Sequence, residues 1–104
     1  MKPIEMKAID NAKENRKEYY SNGQLWWQRS YLNGKLQLER EYYPNGQLKG
    51  EWNWQDGELN GLCRRYYDNG QLRSERSYKN GELNGLCRYW YPDGQLSWEE
   101  NYEN

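Results

Sequence analysis

Three kinds of chemically capable side chain recur along this chain at a fixed spacing of 24 residues. They are the carboxylates of Glu51, Glu75 and Glu99, the guanidiniums of Arg40, Arg64 and Arg88, and the thiols of Cys63 and Cys87. Carboxylates can transfer protons, a thiol can act as a nucleophile, and spaced guanidiniums can bind phosphates or an acidic partner. However, the sequence contains no histidine, so the commonest general base and metal ligand is missing and the thiols have no histidine to activate them. With no zinc spacing, phosphate loop or dinucleotide motif either, we predict a protein that is not an enzyme and uses no metal or cofactor.

The regular spacing belongs to a repeat that covers most of the chain. Segments 57–72 and 81–96 are identical at twelve of sixteen positions. The tripeptide Gly-Gln-Leu recurs with its glycines at Gly23, Gly46, Gly70 and Gly94. A period of this size is typical of a quasi-one-dimensional array of one supersecondary unit, and it favours a binding function over catalysis.

The repeat unit has the pattern of a β-hairpin. Asn-Gly or Asp-Gly pairs punctuate the chain every 11 to 13 residues, and the runs between them are rich in Tyr, Trp and Leu. This predicts an all-β antiparallel meander of about eight strands, at 17–20, 24–31, 36–43, 47–54, 62–67, 71–78, 86–91 and 95–102. Residues 17–104 form the repeat domain, and residues 1–16 are an N-terminal cap or tail outside the period.

The composition indicates a fold without a deep core. Only 35% of the residues are hydrophobic and the mean hydropathy is -1.49, yet 16% are aromatic, with eleven Tyr, six Trp and no Phe. Tyr and Trp have an apolar body and a polar tip, so they suit surfaces that are half dry. The net charge of -1 argues against nucleic acid or an anionic membrane as the main ligand. We expect a cytoplasmic location, because neither a secretory leader nor a long apolar run is visible.

The turn type decides which side chains share a face. Tyr-Pro-Asn/Asp-Gly at Pro44 and Pro92 suits a type I turn followed by a glycine bulge, which pairs Tyr42 with Leu48. Alternation along the strands then places one candidate binding set on a single face: Trp27, Trp52, Trp54, Trp90, Trp98, Arg40, Arg64 and Arg88. A tight two-residue turn would instead shift the register by one and set Arg40, Arg64 and Arg88 opposite Glu51, Glu75 and Glu99. Trp26 projects from the other face and is a separate candidate.

Each candidate site has a structural alternative. The glutamates and arginines can pair with one another across strands, and the tryptophans can pack on Leu and on glycines such as Gly50. Equivalent positions of successive hairpins lie roughly 9.5 Å apart, whereas a disulfide needs Cα atoms within about 7 Å. We therefore expect Cys63 and Cys87 to be free thiols in a reducing compartment.

The combination of an aromatic pair, an Asn/Asp-Gly turn, Leu and a second glycine at Gly61 and Gly85 resembles the MORN repeat variant. It is similar in particular to bacterial antitoxins of the YwqK family, over residues 17–104. The resemblance implies an elongated single-layer meander of stacked hairpins and a role in protein binding, as an antitoxin or immunity partner. The first repeat departs from the pattern, because it is one residue shorter and lacks a counterpart of Gly61.

These observations lead to one main functional hypothesis and two alternatives. The main one is a non-catalytic module that docks on a toxin or effector enzyme and blocks it sterically, since Tyr, Trp and Arg dominate binding hot spots. The alternatives are an inhibitor of a nucleic-acid enzyme, using the glutamates as phosphate mimics, and a structural or lipid-associated scaffold, using the arginines. A homodimer through a sheet edge or the Trp-bearing face is compatible with all three.

Overall fold

The computed structural model describes residues 12–103, which form one open antiparallel sheet. Its strands over this range are β1 (Lys13–Tyr19), β2 (Leu25–Leu32), β3 (Lys35–Tyr42), β4 (Leu48–Gln55), β5 (Glu58–Leu59), β6 (Gly61–Tyr66), β7 (Leu72–Lys79), β8 (Glu82–Leu83), β9 (Gly85–Trp90) and β10 (Leu96–Tyr102). The order in the sheet is β1-β2-β3-β4-β6-β7-β9-β10, with β5 paired to β4 and β8 paired to β7. The predicted eight-strand meander is confirmed, with two short strands in addition.

The sheet is a single layer. It measures 67 × 43 × 13 Å, and its radius of gyration of 17.7 Å exceeds the value of about 13 Å expected for a compact domain of 100 residues. Within residues 12–103, the buried apolar side chains are those of Cys63 and Cys87. The expected absence of a deep core is therefore confirmed for this part of the chain, and most large side chains are half-buried on one of two open faces.

The Asn-Gly and Asp-Gly pairs form two kinds of turn. At 33–34, 56–57 and 80–81 both residues have positive φ, near 50° for Asn or Asp and near 80° for Gly, as a two-residue type I′ hairpin requires. In the turns at 20–24, 43–47, 67–71 and 91–95 only the glycine has positive φ. There the Tyr43 N–H donates to the Gln47 carbonyl at 2.8 Å, and Tyr42 pairs with Leu48. The predicted type I turn with a glycine bulge is confirmed.

A further bulge directly after these turns overturns the predicted distribution of side chains between faces. Leu48 is opposite Tyr42, but Gly50 is opposite Glu41, so Lys49 is an extra residue in β4. Equivalent bulges insert Trp26, Arg73 and Ser97. Each extra residue shifts the register by one, and a shift of one moves all later side chains to the other face.

The candidate set is therefore divided between the two faces. Trp27, Trp52, Trp54 and Trp98 lie on one face, which we call the tryptophan face. Arg40, Arg64, Arg88 and Trp90 lie on the other, which we call the ladder face. Glu51, Glu75 and Glu99, which the predicted register placed away from the arginines, share the ladder face with them. The expectation of one face for all eight candidate residues is wrong, because turn chemistry does not reveal the second bulge.

The later repeats differ from the first in one detail that the sequence indicates. Gly61 and Gly85 have φ near +100°. Just before each of them the strand is interrupted, between β5 and β6 and between β8 and β9. The first repeat has no such glycine, and β3 is continuous from Lys35 to Tyr42, with a one-residue bulge at Gln37 in its pairing with β2.

At the N-terminal end, β1 begins at Lys13, earlier than the predicted residue 17, and pairs with β2 along its whole length. Residues 1–11, which contain most of the predicted cap or tail, lie outside the described residues.

Candidate functional site

The ladder face carries a row of alternating charges across neighbouring strands. Directly paired residues run in the order Arg40, Glu51, Arg64, Glu75, Arg88 and Glu99. In each hairpin the arginine Nε donates to the glutamate Oε2 at 2.8 Å, from Arg40 to Glu51, from Arg64 to Glu75 and from Arg88 to Glu99. The structural alternative for both periodic sets, cross-strand pairing, is thus what the fold contains.

These ion pairs give each of the three ladder arginines a carboxylate partner. The hydrogen bond that Arg40 donates to Glu51 raises the pKa of Arg40, and the one that Arg64 donates to Glu75 raises the pKa of Arg64, because each carboxylate stabilises the charged guanidinium. A guanidinium that already has a carboxylate partner gains less from a phosphate or an acidic ligand. The ladder therefore acts as a connection between strands, although its arginines are still 38–40% exposed.

A second periodic set joins each repeat to the next along the edge that holds the four wide turns. The hydroxyls of Tyr20, Tyr43 and Tyr67 donate to the carbonyls of Tyr42, Tyr66 and Trp90, at 2.5 to 2.7 Å. The side-chain amides of Asn22, Asn45 and Asn69 donate to the carbonyls of Pro44, Asp68 and Pro92. These residues were not singled out from the sequence as joining repeats, although their own spacing of 23 to 24 residues was the available signal.

The tryptophan face differs from repeat to repeat. One set of equivalent positions holds Trp27, Gly50, Ser74 and Trp98, and the neighbouring set holds Arg29, Trp52, Arg76 and Glu100. Large side chains cover small ones on this face. The Trp52 ring lies over Gly50, and a Cβ at that position would meet two ring atoms at 2.9 Å. The predicted packing of tryptophan on Gly50 is thus present.

The N-terminal half of the tryptophan face contains an amphipathic depression. Trp26, Trp27, Arg29, Glu39 and Glu41 line a volume of about 210 Å³. The Arg29 guanidinium lies 4.1 Å from the centre of the Trp27 ring and its Nε donates to Glu39 at 2.7 Å. Sequence alternation had assigned Trp26 to the opposite face, but the bulge brings it to the rim of the same depression. Its ring centroid lies 5.9 Å from that of Tyr20, with the two rings tilted by 35°.

Two further tryptophans, Trp54 and Trp98, lie on this face. The Trp54 Nε1 is buried without a hydrogen-bond partner among the described residues, and Trp54 borders a second depression of about 400 Å³ with Lys35 and Leu36. Trp98 on β10 is 54% exposed. Trp90, by contrast, is half-buried on the ladder face opposite Leu96.

The two cysteines are free thiols, as predicted, and both are buried. They lie on the tryptophan face in equivalent positions, with Cys63 opposite Arg76. Burial raises the pKa of Cys63, since desolvation penalises the thiolate. A raised pKa makes the Cys63 thiol a poor nucleophile.

Other kinds of site find no support in the described residues. Between residues 12 and 103 no group of three or more acidic or cysteine side chains is arranged to hold a metal ion. The same range contains no helix with the length and apolarity needed to cross a membrane.

Comparison with known families assigns the repeat. The model of the MORN repeat variant matches residues 15–26, 38–56 and 59–80, more than half of the chain, and the model of the MORN repeat matches residues 77–96. No curated protein matches the chain. Repeats of this type usually mediate binding, to proteins or to membranes, and are generally not catalytic. The matched segments contain the wide turns, the tyrosine contacts and most of the charge ladder described above, and the chain belongs to the MORN repeat family.

Proposed function

We propose that this protein is a non-catalytic binding module that docks its tryptophan face on a protein partner and blocks that partner sterically. The partner class that fits best is a toxin or effector enzyme, and the protein then acts as an antitoxin or immunity protein. The observation that carries this proposal is the accumulation of half-exposed Trp and Arg side chains on the one face whose residues differ between repeats. Tyr, Trp and Arg are the residue types that dominate binding hot spots.

The depression around Trp27 is the proposed centre of the interface. It combines a flat ring, a guanidinium stacked on that ring and two carboxylates, so it offers apolar area together with both signs of charge. Trp54 extends the surface, because its ring borders the second depression beside Lys35 and Leu36. Trp52 lies on the same face, opposite Glu39 of the first depression and two residues before Trp54 in β4.

The ladder face is a weaker candidate for either alternative function. A phosphate mimic needs carboxylates without compensating cations, but Glu51, Glu75 and Glu99 each accept a hydrogen bond from an arginine. A headgroup-binding surface needs free cations, and the same three arginines are occupied by those bonds. Inhibition of a nucleic-acid enzyme through a glutamate row, and lipid binding through an arginine row, therefore gain no specific support from this geometry.

The proposal is tested by affinity purification of the tagged chain from its own host, followed by mass spectrometry. A Trp27→Ala variant is purified in parallel, with Trp90→Ala as the matched control, because both tryptophans are half-buried but lie on opposite faces. Thermal unfolding of both variants shows whether they are folded. We expect one stoichiometric protein partner that is retained by Trp90→Ala and lost by Trp27→Ala.

Inhibition of the recovered partner completes the test. If it is an enzyme, its activity on a large substrate should fall in a stoichiometric titration with the wild-type chain and stay unchanged with Trp27→Ala. Loss of the partner from Trp90→Ala but not from Trp27→Ala would move the site to the ladder face. Recovery of no partner would contradict the proposal.

A further inference from the structure

The two outer strands of the sheet carry incomplete versions of the contacts that join the repeats. On β10, the outermost described strand, three features of the inner junctions meet no further strand within residues 12–103: the Tyr91 hydroxyl, Gln95 and Glu99. Tyr91 is 53% exposed, whereas its equivalents Tyr43 and Tyr67 are half-buried. The β10 side of the sheet is thus built like the donor side of an internal junction.

On β1, the opposite half of the same contacts is open. Tyr19 occupies the position of Tyr42, Tyr66 and Trp90, whose carbonyls accept the tyrosine hydroxyls of the preceding repeat, and it is 56% exposed. Gly46, Gly70 and Gly94 each touch the glutamine side chain of the preceding turn, but nothing lies within 4 Å of a Cβ built at Gly23. Lys17 occupies the position of the ladder arginines, with no glutamate strand on its outer side in the described structure.

We propose that a second copy of this chain occupies this edge, with its β1 strand pairing head-to-tail with β10. The eight strands of the main path alternate in direction, so β1 of the second copy meets β10 antiparallel, as β6 meets β4 and β9 meets β7. The Tyr91 hydroxyl donates to the Tyr19 carbonyl of the second copy. Gln95 lies against its Gly23, and the ladder continues from Glu99 to its Lys17.

Charge complementarity selects this arrangement. The register of the internal junctions, Glu51 with Arg64 and Glu75 with Arg88, places Glu99 opposite Lys17 and Glu100 opposite Arg16. Both are opposite-charge pairs, and such cross-strand pairs are favourable. Arg16 already contacts Glu14 of its own strand at 3.0 Å, but both side chains are more than half exposed, so that ion pair is easily rearranged.

Symmetric pairing of two β10 strands is disfavoured. β10 carries Glu99 and Glu100 and no lysine or arginine, so an antiparallel β10 pair brings like charges together. Head-to-tail contact uses two different surfaces and does not close on itself, so the assembly grows along the long dimension of the sheet rather than stopping at a dimer. Asp93 sets a limit on its strength: it stands where the other turns have asparagine, and a carboxylate cannot donate to the neighbouring turn as Asn45 and Asn69 do.

Sedimentation velocity of the full chain over a wide concentration range tests this proposal. The wild type should show an average mass that rises with concentration beyond that of a dimer and falls with added salt. Arg16→Glu/Lys17→Glu and Glu99→Lys/Glu100→Lys should each weaken association by about tenfold, because two attractive cross-strand pairs become repulsive. An equimolar mixture of the two variants should recover association, since each then offers the charge that the other requires.

The outcomes separate the arrangements. A wild type that stays monomeric at several hundred micromolar overturns the proposal, and so does a mass that stops at the dimer. A variant that associates like the wild type, or a mixture that fails to recover association, also overturns it. Tyr91→Phe provides a second measurement: it should weaken association without lowering the melting temperature of the dilute protein, whereas Tyr67→Phe should lower that temperature. Equal loss of melting temperature in both would assign Tyr91 to the single chain.

Discussion

The two faces of this sheet are made by the same strands but follow different rules. On the ladder face, equivalent positions of the later hairpins repeat the same arginine and the same glutamate, in one geometry with one bond length. On the tryptophan face, equivalent positions change from Trp to Gly to Ser to Trp, and from Arg to Trp to Arg to Glu. The ladder face therefore repeats the contacts that every hairpin needs, whereas the tryptophan face presents a surface that differs from one repeat to the next.

This division has a physical cause in the stacking of hairpins. A hairpin cannot bury its apolar face alone, so each unit must present the same connecting groups to its neighbours. The ladder and the tyrosine hydroxyls provide those groups, and both lie where strand meets strand. Once the register is fixed, the side chains of the tryptophan face are not needed to connect one hairpin to the next. Its side chains can therefore differ between repeats, which is what specific recognition of one partner requires.

The largest effect is expected at Gly50 on the tryptophan face, where the Trp52 ring occupies the space of a side chain. Gly50→Ala adds a methyl group into the Trp52 ring and should lower the free energy of unfolding by about 1–3 kcal/mol, the usual cost of overpacking. Urea unfolding measures it. Ser74→Ala, at the equivalent position of the next hairpin, is the matched control and should cost less. In Gly50→Ala/Trp52→Leu most of the loss should be recovered, and no recovery would mean that the ring is not the obstacle.

The next effect concerns the joints between repeats. Tyr67→Phe removes a part-buried hydroxyl bond to the Trp90 carbonyl and should cost about 1 kcal/mol, the typical net value of such a bond. Tyr91→Phe should leave the stability of the dilute chain unchanged. Comparison of the two melting curves isolates the bond from the ring. Equal losses in the two variants would show that the Tyr91 hydroxyl stabilises the single chain as well.

A smaller effect is expected for the charge ladder, because its arginines are more than a third exposed. Arg64→Gln/Glu75→Gln should lower the free energy of unfolding by about 0.5 kcal/mol in low salt, with the difference shrinking as salt screens the pair. Lys35→Gln/Asp56→Asn removes the more exposed ion pair and should have almost no effect, because asparagine also tolerates the positive φ of this turn. A loss that does not respond to salt would mean that the ladder side chains act by packing.

The smallest change in stability is expected at Trp54, where it should separate stability from binding. Trp54→Phe removes an indole N–H that has no partner among the described residues, so unfolding should be unaffected or slightly less favourable. Partner capture should weaken, because the smaller ring removes part of the Trp54 surface that borders the second depression. Thermal unfolding and the affinity purification described above measure the two effects. A clear loss of stability would show that the N–H is already satisfied, for example by water.

The sequence predicted the architecture well and the site only in part, and the reason lies in single residues. The Asn-Gly and Asp-Gly pairs fix the hairpins locally, since glycine adopts positive φ without steric cost, and Pro44 and Pro92 mark the wider turns. The same signals cannot report Lys49, whose extra position in β4 depends on how that strand pairs with β3. The undetected bulges after the wide turns, together with the one at Gln37 in β3, were enough to place the arginines and tryptophans wrongly on one face.

What the sequence determined by itself is the repeat, its hairpins, the absence of a deep core and the free state of Cys63 and Cys87. All of these follow from spacing, composition and turn chemistry, which act over a few residues or repeat unchanged. Only the tertiary structure decided the register, and with it the pairing of Arg64 with Glu75 and the burial of Trp52 over Gly50. Side chains in a strand alternate with a period of two, so a shift of one residue, invisible in the sequence, decides which residues meet.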